Sequence, residues 1–331
     1  MEQNENKDYL DKPTTPVVNE PIENTHLSPL RILAIGFGLF IAGNLITGFI
    51  MEGLAQLFYA TDMSTLLKSL GENTPIDKRN FMRMVLFLNH VFSFIVPALA
   101  TAYIAYKNRL WFYLKLNKFP TLGVIGLAFL WLVVSMPFVQ YAYQINKMLE
   151  LPQWMLQMED STAGMLEAIV SKENFYEIII NVFLIAVIPG IGEELMFRGV
   201  IQQQIGRIFK EEHVQVWVSA AIFSAIHMQF QGFLARMILG ALLGYLLVWT
   251  RSLWVPMIVH FLNNGLQIIG LYVMNVKPSD MEKIGQADTI NWTVAGISLM
   301  AILALGKYIR DTYYKIDKEP PATEGKGEHG W

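Results

Sequence analysis

Two adjacent glutamates interrupt an apolar stretch of this chain, and an arginine follows them one helical turn later. The motif is Glu193-Glu194-x-x-x-Arg198, preceded by Pro189-Gly-Ile-Gly. On a helix, Glu194 and Arg198 share a face, whereas Glu193 lies about 100° around the axis and can point elsewhere. A carboxylate with little water around it is a candidate general base. The competing interpretation is an ion pair that ends a membrane span, and the second glutamate and the flanking glycines weigh against it.

Two histidines occupy comparable positions in later apolar stretches, each with a candidate partner one turn away. In Phe223-x-x-x-His227, the phenyl ring is placed to pack on the imidazole. In His260-x-x-x-Asn264, the amide can orient the imidazole or donate a hydrogen bond to a developing oxyanion. The alternatives are structural: a histidine bonded to a carbonyl of a neighbouring helix, and an asparagine that joins two helices in the membrane.

These groups are more informative together than any one is alone. Ionisable side chains inside membrane spans are functional candidates by default, because burying them in lipid is costly. Two imidazoles and a carboxylate suffice to activate water, either directly or around a zinc ion. The chain has no cysteine, no His-Glu-x-x-His signature and no Gly-x-Ser-x-Gly elbow, so a thiol nucleophile is excluded and the common soluble hydrolase sites are disfavoured. The mid-span His90 is predicted to bond only to a neighbour such as Asn89.

The elements that carry these residues must lie in a membrane. Of the 331 residues, 53% are hydrophobic and only 16% are charged, and the mean hydropathy is +0.36. A soluble domain has about 25% charged residues, so this chain has too little polar surface to cover a water-soluble globule of its size. The net charge of −3 argues against nucleic acid as a partner.

We predict an all-α fold, a multi-pass transmembrane helical bundle of about eight spans. A spanning helix needs roughly 20 apolar residues. The candidate spans are Ile32–Ile50, Val85–Tyr106, Leu122–Tyr143, Phe175–Ile191, Val214–Met228, Phe233–Trp249, Leu253–Val273 and Trp292–Ile309.

The depth of the glutamates depends on where the fourth span ends. If Pro189 and Gly190 end it, Glu193 lies at the membrane edge. If the span starts later and continues toward Ile205, Glu193 lies roughly 18 Å from the cytoplasmic end, close to the roughly 20 Å expected for His227. His260 comes out shallower, at roughly 10 Å. We expect the second arrangement, with the glutamates inside the membrane.

The remaining segments are tails and linkers. Residues 1–30 and 315–331 read as disordered tails. The linker after the third span is predicted to contain a short interfacial helix, Met165–Val170, capped by Asp160 or Ser161. The distribution of Lys and Arg predicts a cell-membrane protein with both termini in the cytoplasm.

The three motifs, in this order on late spans, resemble those of the CPBP family of intramembrane proteases, which includes type II CAAX prenyl endopeptidases and bacteriocin-processing proteins. The resemblance extends from about Ile178 to Leu271. It divides the chain into membrane helices with an interfacial linker at 31–174, a CPBP-like catalytic core at 175–275 and a last span within 276–314.

The resemblance implies an intramembrane endopeptidase. Glu193 and His227 would activate the attacking water, His260 and Asn264 would position or stabilise the oxyanion, and Glu194 with Arg198 would support the site. Which glutamate is the base stays open. A metal also stays open, with zinc as the expected ion if one is used and no other cofactor indicated. The expected partners are the lipid bilayer and a membrane-associated protein or peptide substrate, which water would reach if the glycines at 190, 192 and 199 loosen the packing.

Two other classes of function remain. One is a non-catalytic immunity or scaffold protein that keeps the polar cluster for helix packing. The other is an ion- or proton-coupled transporter, which the absence of an internal repeat disfavours.

Overall fold

The computed structural model describes residues 25–71, 73–170, 175–274, 276 and 291–314, with 159–163 described as backbone alone. Over these residues the chain is helical and has no strand, which confirms the predicted all-α class. The predicted tails lie outside the described residues, except for 25–30, and the disordered tail predicted to end at residue 30 is two residues too long because Pro29 and Leu30 begin the first helix.

The helices follow one another with short connections. They are α1 (Pro29–Tyr59), α2 (Met63–Lys68), α3 (Ile76–His90), α4 (Val96–Tyr106), α5 (Leu110–Tyr113), α6 (Leu122–Lys147), α7 (Gln153–Val170), α8 (Phe175–Val182), α9 (Ile188–Glu194), α10 (Gln203–Phe209), α11 (Glu212–Ile226), α12 (Phe233–Thr250), α13 (Trp254–Met274) and α14 (Trp292–Tyr313). Three π-helical segments join helices without a break: Val91–Ile95 between α3 and α4, Phe183–Val187 between α8 and α9, and Leu195–Gln202 between α9 and α10.

Seven continuous helical segments within the described residues, called rods below, are long and apolar enough to cross a membrane. They confirm seven of the predicted spans, and the fold is a multi-pass helical bundle. The other predicted span, Val214–Met228, corresponds to α11, which has 15 residues. A helix of that length extends about 22 Å, which is shorter than a bilayer core of about 30 Å. The rods are Pro29–Tyr59, Ile76–Tyr113, Leu122–Lys147, Phe175–Phe209, Phe233–Thr250, Trp254–Met274 and Trp292–Tyr313.

The fourth rod runs without interruption from Phe175 to Phe209. The expected continuation through Glu193 toward Ile205 is therefore confirmed, whereas the end at Ile191 is wrong and the helix begins at Phe175, with no later start. Proline normally breaks a helix because it lacks an N–H and its ring clashes with the preceding turn. Here the wider π turn Phe183–Val187 precedes Pro189, and the helix continues through it. Glu193 consequently lies about 27 Å from one end of the rod and about 24 Å from the other, at 1.5 Å per residue.

A hairpin of α11 and α12 enters the bundle from the end that carries the chain termini. The turn of this hairpin is held by Asn146, in the last turn of α6. The Asn146 amide donates to the Phe230 carbonyl at 2.9 Å, and its side-chain oxygen accepts from the Leu234 N–H at 2.8 Å. The first residue of the turn, His227, is thereby held deep in the bundle.

The helix after the third span, predicted at the membrane interface, is longer than expected. The helix α7 begins at Gln153, so residues 160 and 161 lie inside it and do not cap it. The cause is that apolar residues such as Trp154 extend the amphipathic pattern upstream, and the Trp154 ring contacts Phe230 edge to face at 5.6 Å between centroids.

A buried ionic network joins α3 to α8 at the end of the bundle opposite the termini. Glu177 accepts from Arg79 at 3.0 Å and from Arg83 at 2.7 Å. Arg83 also donates to Asn181 at 2.9 Å, and Asn181 donates to the Tyr272 hydroxyl of α13 at 2.7 Å. Each charge has an opposite charge or polar partner, as apolar surroundings require.

Candidate active site

Glu193 lines a cavity of about 410 Å³ in the middle of the bundle. Three imidazole rings face its carboxylate there. His90 Nε2 lies 3.3 Å from Glu193 Oε1, whereas His227 Nε2 and His260 Nε2 lie 3.8 and 3.9 Å from Glu193 Oε2. The structure thus brings together the first motif and both histidine motifs, which lie in three separate stretches of the chain.

The other nitrogen of each ring is already engaged. His90 Nδ1 lies 3.0 Å from the Leu86 carbonyl, and His227 Nδ1 lies 2.7 Å from the Phe223 carbonyl. A carbonyl oxygen only accepts hydrogen bonds, so both Nδ1 atoms must carry a proton. When either ring is neutral, its Nε2 is therefore a bare acceptor that points into the cavity.

Glu194 lies on a different face of the helix and does not line the cavity. It is fully buried, and its Oε1 accepts from Arg198 Nη1 and from His260 Nδ1, each at 2.8 Å. The second Arg198 nitrogen donates to the Gly240 carbonyl at 2.8 Å. The guanidinium group also lies over the Phe223 ring, 4.6 Å from its centroid. The predicted Glu194–Arg198 pair is observed, and it also orients His260.

Phe223 packs on the histidine of its own motif, as predicted. The two ring centroids are 4.7 Å apart in an edge-to-face arrangement. The same phenyl ring contacts His260 at 6.1 Å. A single aromatic side chain therefore packs against two imidazoles and one guanidinium, which limits the rotamers open to all three.

Asn264 bonds to the fourth rod and not to His260. Its amide donates to the Ile185 carbonyl at 3.3 Å, and its oxygen accepts from Asn263 at 3.0 Å. Ile185 lies four residues before Pro189, which has no N–H to offer that carbonyl. The asparagine thus donates to a carbonyl that the proline leaves without its usual helical donor, and its second amide hydrogen stays available to the cavity.

The glycines of the first motif tighten the packing, which contradicts the expectation that they loosen it. A Cβ atom on Gly190 would lie 3.1 Å from the Phe261 nitrogen, and one on Gly192 would lie 3.0 Å from the Ile95 side chain. Because these residues lack a Cβ, α9 approaches both α13 and the π segment after α3. This approach brings Glu194 to His260 and Glu193 to His90.

The mismatch in the expected depth of His260 disappears in the structure. The turn before α13 is recessed into the bundle: a Cβ on Gly199 would lie 3.4 Å from the Leu253 side chain. The turn is held there by the Leu253 N–H, which donates to the Lys115 carbonyl at 3.0 Å. His260, about 9 Å along α13 from Trp254, therefore reaches the level of Glu193.

His90 is the site residue that the sequence interpretation missed. The predicted Asn89 partner bonds to Ser93 instead, at 2.9 Å, and His90 is 103 residues from Glu193 in sequence. The available signal was its type and position, an ionisable residue in the middle of a span.

The described side chains do not form a ready-made zinc site. Among the described residues, no group of three or more His, Asp or Glu side chains is placed to hold a metal. Zinc requires ligand atoms at about 2.0–2.2 Å in tetrahedral geometry.

Comparison with known proteins places the site in a recognised region. Residues 175–266 match the family model described as type II CAAX prenyl endopeptidase Rce1-like. This segment contains the first motif, both later histidine motifs and the bonds among them, but it does not contain His90. No solved structure matches the chain.

Two bacterial relatives match part of the chain. A protein of Bacillus subtilis named uncharacterized protein YpbD is 34% identical over 103 residues, which cover 30% of this chain and 48% of the relative. The membrane-embedded CAAX protease MroQ of Staphylococcus aureus is 31% identical over 95 residues, covering 27% of this chain and 38% of the relative. The chain thus spans about half the length, or less, of these curated relatives. The resemblance to CAAX-type intramembrane proteases that the three motifs indicated is confirmed over the matched segment.

Proposed function

We propose that this protein is an intramembrane endopeptidase that hydrolyses a peptide bond with a water molecule activated by Glu193. The observation that carries the proposal is the convergence of two Nε2 atoms, from His227 and His260, on Glu193 Oε2 inside one cavity. A water placed between these groups can give its proton to Glu193 while its oxygen attacks a carbonyl carbon. The segment that matches the Rce1-like endopeptidases supports the same class of reaction.

Glu193, and not Glu194, is the base in this proposal. Both oxygens of Glu193 face imidazole nitrogens of the cavity wall. Glu194 is fully buried, and its Oε1 already accepts two hydrogen bonds. A group that must accept a proton from water needs contact with that water, which the position of Glu193 provides.

The other motif residues take roles that follow from their bonds. The Nε2 of neutral His227 accepts a hydrogen bond from the attacking water. Asn264 donates its second amide hydrogen to the oxyanion, and His260 does so from Nε2 when that nitrogen is protonated. As the C–N bond breaks, the proton held by Glu193 moves to the leaving nitrogen, which restores the carboxylate.

The substrate in this proposal is a membrane-embedded polypeptide segment. The cavity wall combines apolar side chains from several rods with the amides of Asn263 and Gln267. Such a wall accommodates apolar residues of a substrate while the amides bond to its exposed backbone.

Substitution of Glu193 tests the proposal. Glu193→Gln keeps the size of the side chain and removes the base, so cleavage of membrane-embedded peptides by purified protein in vesicles should be lost while the protein stays folded and inserted. His213→Gln is the matched control, because His213 lies outside the cavity and bonds to the Tyr245 hydroxyl at 2.6 Å. Full activity of the Glu193→Gln variant would support the scaffold or immunity alternative instead.

Metal removal distinguishes a metal-free mechanism from a metal-assisted one. Because the described ligand-type side chains are not grouped around a metal position, we expect cleavage to persist after dialysis against a chelator. Activity that disappears with the chelator and returns with added zinc would mean that the side chains rearrange around an ion. Metal analysis of the same samples provides an independent readout.

A further inference from the structure

His90 belongs to α3, in the half of the chain that precedes the matched segment 175–266. It is the last residue of α3, directly before the π segment Val91–Ile95. π-helical turns are often found at functional sites because they reorient the side chains beside them. Here the ring points into the cavity, and its Nε2 lies closer to Glu193 than the Nε2 of either histidine of the matched segment.

The contact between His90 and Glu193 requires a proton. His90 Nδ1 donates its hydrogen to the Leu86 carbonyl. If Nε2 were bare, its lone pair would face the carboxylate oxygen at 3.3 Å and the two would repel each other. The contact is attractive only when one proton lies between the two atoms, on either Nε2 or Oε1.

We propose that His90 is a positioning residue that shares this proton with Glu193 Oε1 and so holds Oε2 toward the attacking water. The proposal rests on the function proposed above. One carboxylate oxygen is then fixed by His90, and the other is left to take the proton from water between His227 and His260. The geometry of the His90–Glu193 contact is set by the surrounding structure. The hydrogen bond to Leu86 fixes the orientation of the His90 ring, and the close packing of Gly192 on Ile95 fixes the distance between the helices.

Four titratable or charged groups face His90 across the cavity: Glu193 of α9, His227, Arg236 of α12 and His260. Of these, Glu193 is within hydrogen-bonding distance of His90. Loss of the shared proton should therefore change the catalytic rate, which depends on Glu193. In the wild type, kcat should fall at alkaline pH when the proton leaves, because the two groups then repel each other.

The test compares His90→Ala and His90→Gln with the wild type in a vesicle cleavage assay. We expect kcat to fall about 10- to 100-fold, the usual effect of removing a group that orients a catalytic side chain, with little change in KM. In His90→Gln the alkaline limb of kcat should move away from its wild-type position, because an amide does not titrate and the limb that remains is the one set by His260. Asn89→Ala is the control, since Asn89 is adjacent and bonds to Ser93.

Added imidazole distinguishes positioning from a fold defect. The His90 side chain lines the cavity and is 12% exposed, so a small molecule can enter the space left in His90→Ala. Imidazole should restore activity, whereas 1-methylimidazole should not, because it lacks the second N–H needed to bridge Leu86 and Glu193. Rescue by both compounds, or wild-type kcat and pH profile in the His90 variants, would overturn the proposal.

The outcome for His90 is separable from that of the proposed function. An inactive Glu193→Gln protein together with fully active His90 variants would refute the role of His90 alone. An active Glu193→Gln protein would refute the proposed function itself. If His90→Ala fails to fold, the pH profile of His90→Gln decides the question.

Discussion

At the scale of single residues, the two adjacent glutamates differ because the helix turns them into different surroundings. Glu193 faces the cavity with a carboxylate that imidazoles surround. Glu194 faces the protein interior, where Arg198 and His260 both donate to one of its oxygens. In the proposed mechanism, the same chemical group is therefore a reactant at position 193 and part of the supporting structure at position 194.

This difference predicts that the same substitution, glutamate to glutamine, affects stability at position 194 and activity at position 193. Glu194→Gln leaves the buried Arg198 without its counter-charge, so the free energy of unfolding should fall by about 3–5 kcal/mol. Glu193→Gln should lose activity with little change in stability, because its side chain lines the cavity. Thermal unfolding of both variants in the same detergent, beside a cleavage assay, measures this contrast. Equal unfolding temperatures for the two variants would contradict the assignment.

At the scale of helices, the site depends on how α3, α8 and α13 are joined beyond the cavity. Glu177 binds two arginines of α3, and Asn181 links Arg83 to Tyr272 of α13. The helix α3 carries His90, α8 continues into the rod that carries Glu193, and α13 carries His260. The network therefore fixes the relative positions of the three helices whose side chains meet at the cavity.

Removal of the central carboxylate should weaken the whole bundle. Glu177→Gln removes the carboxylate that two buried guanidinium groups share, and we expect a loss of about 3–5 kcal/mol in unfolding free energy. Glu52→Gln is a suitable control, because Glu52 is exposed at the end of α1 and accepts from the Met63 N–H. Its substitution should change stability by less than about 0.5 kcal/mol. Similar unfolding curves for both variants would show that the network does not stabilise the fold.

At the scale of the whole molecule, both ends of the described chain lie on the same side of the bundle. Pro29 borders a pocket together with Tyr113 and Arg207, and the Arg251 guanidinium lies 5.9 Å from the Tyr314 ring centroid. The excess of Lys and Arg predicts that this side faces the cytoplasm.

The absence of cysteine makes that orientation directly measurable. Lys118→Cys places one thiol in the exposed turn before α6, and Glu150→Cys places one in the exposed turn after it. A membrane-impermeant thiol reagent should label Glu150→Cys in intact cells and Lys118→Cys only after permeabilisation. The reverse pattern would mean that the termini face outward.

The local pattern of the sequence determined the helical class, seven membrane rods and the residues of the three motifs. These features follow from apolar runs of sufficient length and from polar residues one turn apart, and both are properties of a single helix. The Glu194–Arg198 pair and the packing of Phe223 on His227 are of this kind. They formed as expected because their partners lie four residues apart.

The tertiary structure decided how residues from separate helices meet. The sequence placed His260 too shallow, because the recess of the turn before α13 depends on its bonds to the segment around Lys115. It left His90 outside the site, because the contact with Glu193 arises from the packing of α9 against the π segment that follows α3. It did not distinguish the two glutamates either, since that distinction depends on which side of the rod faces the cavity. Periodicity gives the direction of a side chain relative to its own helix axis, whereas these outcomes require the distance and rotation between helices that are far apart in sequence.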